Sequence, residues 1–259
     1  ALELDQILQL KVAGPQTVIN TYCSFTPGGT FYTIQGNNKL DVNTNGCDAL
    51  DVNYSNLKFT ISNGTTTGSF ISNSTGNYSI PVQAGTHSIT PVLENPTYFN
   101  VSPTTVNVTF PVQMGPFVQD YCITANGVHP DLEVTLLPLQ PAIPGFDATY
   151  KLVYKNKGNT TQSGALNLNF KDAVLDLAVA NPIATTQTTN TLSWDFVALQ
   201  PFETREITFT MNVNSPMEIP AVNNDDILNF TTTITSLATD ETPEDNTFTF
   251  NQTVVGSYD

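Results

Sequence analysis

From Glu206 to Val213 the chain reads E-I-T-F-T-M-N-V. Ile207, Phe209, Met211 and Val213 fall on one side, and Glu206, Thr208, Thr210 and Asn212 on the other. A strict period of two fits a strand with one face buried and fits no helix. The same alternation recurs at Leu57, Phe59 and Ile61, at Tyr150, Leu152 and Tyr154, and at Leu166, Leu168 and Phe170. Turn signals such as Asn63-Gly64 and Asn156-Lys-Gly158 punctuate these runs every ~10 residues. Short strands with frequent turns predict β-sandwiches, and the fold class is all-β. Only Asp172–Val179 leaves room for a single helical turn.

Length and composition agree with that pattern. The 259 residues suffice for two sandwiches of ordinary size, and 39% hydrophobic residues can fill their cores. Only 12% of residues are charged, against a usual ~25%. Thr, Asn and Ser supply the polar surface instead, and they favour strands and turns. The formal net charge is −15, from 8 Lys and Arg against 23 Asp and Glu. Such a surface repels nucleic acid and anionic membranes, and attracts divalent cations. No apolar run approaches the ~20 residues of a membrane-spanning helix. Ala1-Leu-Glu-Leu-Asp lacks a basic start and a cleavage site, so the chain is expected to be part of a longer mature protein.

The pattern divides the chain into four stretches. Residues 1–22 read as leading strands or the end of a preceding domain. Residues 23–113 form a first module, 114–130 a connector broken by Gly115-Pro116, Asn126-Gly127 and His129-Pro130, and 131–259 a second module. A short strand at Phe117–Ile123 is a candidate to close the first sandwich.

Specific chemistry is concentrated at Asp41–Asp51, D-V-N-T-N-G-C-D-A-L-D. Asp41, Asn43 and Asn45 stand at positions one, three and five of a calcium loop. Gly46 permits the sharp turn, and the Cys47 carbonyl stands at position seven. Asp48 and Asp51 would complete the oxygen shell, although Val52 replaces the bidentate glutamate of an EF-hand at position twelve. Oxygen-only donors favour Ca2+ over zinc or copper. The alternative is an Asx-rich turn without metal. Asp225-Asp226 and Asp240–Asn246 (D-E-T-P-E-D-N) are further acidic loops, for which solvated turns compete with a second metal site.

Three cysteines are present. Cys23 and Cys47 flank one predicted strand, and a bridge between them would close a short loop, worth roughly 3 kcal/mol. Cys122 is then the odd one, with a partner elsewhere; three buried thiols are the alternative. His87 and His129 are far apart in sequence, and no G-x-S-x-G, H-E-x-x-H or P-loop occurs, so no catalytic residues are assigned. Trp194, between Leu192 and Phe196 at period two, reads as core, with sugar stacking as the sharper reading.

Two resemblances follow from these residues. The first module, with D-V-N-T-N-G-C-D-A-L-D, G-N-Y-S-I-P-V and a closing valine-rich strand, resembles the B-type repeats of bacterial adhesins and prealbumin-like carboxypeptidase-regulatory modules. The second, with Y-K-L-V-Y-K-N-K-G-N, S-W-D-F-V-A-L-Q-P-F-E and P-E-D-N, is similar to immunoglobulin-like repeats of bacterial surface proteins. The tandem resembles the tail regions of long Bacteroidota (Flavobacterium-like) surface proteins of the type IX secretion cargo type. The resemblance implies a secreted or cell-surface location. It implies a non-catalytic stalk of an adhesin, rigidified by calcium. A carbohydrate- or protein-binding module, or an accessory domain of a secreted hydrolase, is the alternative. The partners implied are neighbouring domains of the same long chain, the secretion machinery, and a glycan or surface protein, with no nucleic acid and no membrane insertion.

Overall fold

The computed structural model describes residues 29–256. The described residues form nineteen strands and no helix. They pack into β-sandwiches around two hydrophobic cores, one drawn from residues 34–123 and the other from 132–254. Residues 1–22 and Cys23 lie outside the described residues.

The first module hangs on β1 (Tyr32–Asp41), a ten-residue strand that serves two sets of partners. Its first half pairs antiparallel with β5 (Asn77–Val82) and parallel with β9 (Phe117–Val118). Its second half pairs antiparallel with β2 (Val52–Asn53) and parallel with β10 (Tyr121–Ala125), placing Leu40 opposite Ile123. β7 (Phe99–Ser102) extends the sheet from β10. The facing sheet runs β4 (Thr67–Ile71), β3 (Lys58–Ser62), β6 (Gly85–Val92), β8 (Val106–Phe110). Ile34, Phe59, Ile89, Tyr121 and Ile123 are among the side chains buried between the sheets.

The strand expected at Phe117–Ile123 is two strands, β9 and β10, separated by Gln119-Asp120. The Gln119 carbonyl turns toward β1, where a Cβ on Gly36 would lie 1.8 Å from it. Only glycine fits that approach. The Tyr78 hydroxyl donates to the same carbonyl, and the Asn37 amide donates to Asp120 Oδ1 at 2.7 Å. Much of the predicted connector is therefore sheet.

In the second module, β11 (Leu132–Pro138), β12 (Asp147–Asn156), β17 (Thr204–Val213) and β14 (Leu175–Asn181) form one sheet. The other runs β15 (Thr186–Thr188), β16 (Thr191–Leu199), β13 (Gln162–Asn169), β18 (Ile227–Ser236), β19 (Thr247–Thr253). Ile207, Phe209, Met211 and Val213 point inward, as their alternation requires. Asp172–Val174 is a turn rather than a helix, and β14 begins at Leu175. Trp194 is 3% exposed and donates its indole N–H to the Pro182 carbonyl, so it is a core residue with no free face for a sugar.

The modules meet at an aromatic lock. Phe202, in the β16–β17 turn, sits against Tyr54 and Phe99 of the first core, with ring centroids 4.5 and 4.6 Å away. Its φ is +63°, a left-handed conformation unusual for a large side chain. Around it Lys155 pairs with Glu94 at 2.8 Å, and Asn159 Nδ2 donates to the Tyr98 carbonyl.

Candidate metal centre

Asp41 is the last residue of β1 and is buried. Its Oδ1 accepts the amides of Asn43 and Thr44, at 3.2 and 2.7 Å, and its Oδ2 accepts that of Gly46 at 2.9 Å. Asn43 Oδ1 accepts the Asn45 amide, Asp48 Oδ1 that of Leu50, and Asp51 Oδ2 that of Asp48. The loop side chains are thus engaged by the loop's own N–H groups. The carboxylates of Asp41, Asp48 and Asp51 do not form a trio within 4.8 Å of one another. That geometry is the Asx-turn network, with Thr44 and Gly46 at positive φ.

The loop is fastened by a disulfide, but not between the predicted pair. Cys47 is bonded to Cys122, with Cα atoms 5.6 Å apart. Cys47 is therefore not available to Cys23. The physical reason is register: Cys122 lies beside Lys39 in the parallel β1–β10 ladder, so β10 runs directly under the loop that leaves β1. Sequence proximity favoured Cys23, whereas strand pairing brings together residues 75 apart.

Among the described residues, the oxygens of Asp131, Asp240 and Asp245 alone form a carboxylate trio within 4.8 Å of one another. Asp131 precedes β11, and Asp240 and Asp245 lie in the β18–β19 loop. That loop is shaped by its side chains. Asp240 Oδ1 accepts the Thr242 amide and its Oδ2 the Leu132 amide, both at 2.8 Å. Asp245 Oδ2 is 2.8 Å from Lys157 Nζ. Asp131 Oδ2 is 3.3 Å from the Thr242 hydroxyl, which donates to it.

The remaining oxygens are the informative ones. Asp131 is 2% exposed, and its Oδ1 accepts no hydrogen bond. Asp245 Oδ1 and Asn246 Oδ1 are also buried without a partner. Leaving buried acceptors unpaired costs about 1–3 kcal/mol each, more if charged. Burial raises the Asp131 carboxyl above its ordinary value, Lys157 opposes that, and Asp245 and Asp240 reinforce it. Burial alone would depress Lys157, but the hydrogen bond and charge of Asp245, with Glu133 and Asp131, hold it up. A concentration of oxygen donors with orphaned lone pairs can hold a metal ion.

The acidic motif Asp240–Asn246 was visible in the sequence, but Asp131 was not: it lies far from the motif and interrupts no pattern. Of the other residues singled out, Asp226 Oδ2 accepts the Asn223 amide and closes a turn. His87 is buried against the Gln83 carbonyl. His129 stacks on Tyr98 with centroids 4.5 Å apart, and its Nδ1 lies 2.9 Å from Glu241 Oε1.

No protein-family model matches the chain, and no curated protein matches it. Solved structures give distant likenesses. A CARDB domain from Pyrococcus furiosus, in complex with di-metal ions, is 19% identical over 50% of this chain and 96% of its own, with a TM-score of 0.35. A DUF3823 family protein from Bacteroides ovatus is 14% identical over 88% of this chain and 99% of its own, with a TM-score of 0.30. The full-length major pilin SpaD from Corynebacterium diphtheriae is 10% identical over 86% of this chain and 64% of its own, also with a TM-score of 0.30.

Proposed function

We propose that this chain is a non-catalytic, calcium-stabilised spacer within a secreted or surface-anchored bacterial protein of the adhesin type. Its partners in this reading are the neighbouring domains of the same long chain and, during export, the secretion machinery; the type IX cargo assignment belongs to this reading. The observation that carries it is Phe202. A side chain of the second module is seated against the first core at a backbone angle that costs about 1–2 kcal/mol for a residue with a Cβ. A spacer transmits position only if its modules do not pivot, and this contact opposes pivoting. The disulfide supports an oxidising, extracellular setting. The net charge of −15 supports Ca2+ as the resident cation, and the close approach of Asp131, Asp240 and Asp245 supports a cation among them.

The test is small-angle scattering of the intact chain and of Phe202→Gly, which removes the ring while keeping a residue suited to φ of +63°. The wild type is expected to behave as one rigid body and the variant to show a broader distance distribution. A wild-type distribution already as broad as the variant's removes the spacer reading.

A further inference from the structure

We propose that Asp131, Asp240, Asp245 and Asn246 form a Ca2+ site coupled through Lys157 to the junction between the modules. The inference rests on the calcium reading above and deepens it, by assigning the ligands and the element that the ion controls.

The donor set comes first. Asp131 Oδ1, Asp245 Oδ1 and Asn246 Oδ1 are buried acceptors without partners, and Asp131 is almost wholly enclosed. Three carboxylates within 4.8 Å repel one another unless a cation stands between them. Lys157 supplies one charge to the trio, and within it hydrogen-bonds only Asp245 Oδ2. It leaves Oδ1 of both Asp245 and Asp131 unanswered. Hard oxygen donors with one amide carbonyl and no nitrogen or sulfur suit Ca2+, with water completing its 6–8 ligands.

The coupling follows from what else Lys157 touches. Its ammonium has a second carboxylate in reach, Glu133 at 3.8 Å. Glu133 lies on β11, two residues after Asp131. The backbone of Lys157 is already committed to the junction. The Lys157 carbonyl accepts Asn95 Nδ2 of the first module at 3.1 Å. The amides of Lys157 and Gly158 donate to the Asp131 carbonyl at 2.9 and 3.0 Å, and that of Asn159 to the His129 carbonyl at 2.9 Å. A Cβ on Gly158 would lie 2.2 Å from the His129 carbonyl, so this turn and residues 129–131 are pressed together. Asn159 then reaches Tyr98 of the first module, on which His129 is stacked. An ion fixing Asp131 and the β18–β19 loop therefore braces the chain segment that joins the modules.

The experiment uses the whole chain, with CaCl2 against EDTA, and MgCl2 as a second cation. Thermal melts report binding, and amide hydrogen exchange reports the junction. At 100 times Kd, Ca2+ is expected to raise the melting temperature of the second module by about 5–10 °C. It should also slow exchange at Lys157, Gly158 and Asn159 and in residues 95–98. Asp245→Asn, which keeps the shape of the side chain, should abolish both effects; Asp41→Asn should abolish neither. Asn95→Ala, which removes the side chain that donates to the Lys157 carbonyl, should keep the melting shift and lose the slowed exchange around residues 95–98. A melting shift without any junction protection overturns the coupling and leaves the calcium reading standing. A shift lost in Asp41→Asn and kept in Asp245→Asn overturns the ligand assignment. No response to Ca2+ in the melt or in binding calorimetry overturns both the calcium reading and this inference.

Discussion

Breaking the Cys47–Cys122 bridge tests the first module most directly. The bond closes a loop across a sequence separation of 75 residues. In the chain-entropy account such a loop constrains the unfolded chain by about 4.5 kcal/mol, against roughly 3 kcal/mol for a short loop of the kind a Cys23–Cys47 pair would close. For a module of this size each kcal/mol moves the melting temperature by ~4–8 °C, so full loss amounts to about 20–35 °C. Only the transition of the first module should move, because both cysteines and the strands they join belong to it. The assay is scanning calorimetry of the wild type with and without a phosphine reductant, beside Cys23→Ser and Cys122→Ser. Cys23→Ser is expected to melt like the oxidised wild type and to keep its sensitivity to reductant. Cys122→Ser is expected to match the reduced wild type and to ignore the reductant. Peptide mapping without reduction should return Cys47 linked to Cys122. A reductant-sensitive melt in Cys122→Ser, with Cys23 found on Cys47, would falsify the argument from the parallel β1–β10 register.

Three further outcomes are expected. Gly36→Ala should destabilise the first module by about 3 kcal/mol in urea titration, because the new methyl collides with the Gln119 carbonyl and the β9–β10 link must shift. Asn38→Leu should raise stability by about 1–2 kcal/mol in the same titration; Asn38 is fully buried and both side-chain polar atoms lack partners. Glu203 accepts from Arg205 Nε at 2.6 Å and from the Gln200 amide at 2.8 Å, and the Arg205 hydrogen bond leads in holding its carboxyl below the usual glutamate value. Its contribution is therefore present above the unfolded glutamate pKa and is lost as pH falls through the lower folded value. Glu203→Gln should flatten the acid limb of the stability–pH curve by no more than about 1 kcal/mol, since the pair is partly exposed.

The all-β class and several strands, β17 above all, were legible because burial on one face imposes a period of two that neighbouring residues reveal. Trp194 was legible as core for the same reason. What was not legible depends on partners distant along the chain. β1 runs on to Asp41 because β10 arrives from some eighty residues later to pair with its second half. That arrival also decides the cysteine pairing. The Asp41 motif carries the side chains of a calcium loop, and spacing alone does not say whether their oxygens face inward to an ion or back to the loop amides; they face the amides. Asp131 shows the converse. Its chemistry comes from burial beside a loop more than a hundred residues away, and nothing in its own neighbourhood announces it.

The parallel ladder between β1 and β10 has a mechanical consequence. Among the described residues these are the first and last strands of their module, and they lie side by side pointing the same way. A pull on the two ends loads all their hydrogen bonds together in shear, whereas an antiparallel terminal pair unzips one bond at a time. The disulfide then caps the damage. Even after the sheet yields, the 75 residues spanned by Cys47 and Cys122 cannot pay out, which withholds about 250 Å of chain from any applied tension. Under load the module can lengthen only by the short segments outside the bridge, and a force–extension trace should show that clipped step lengthen when reductant is added.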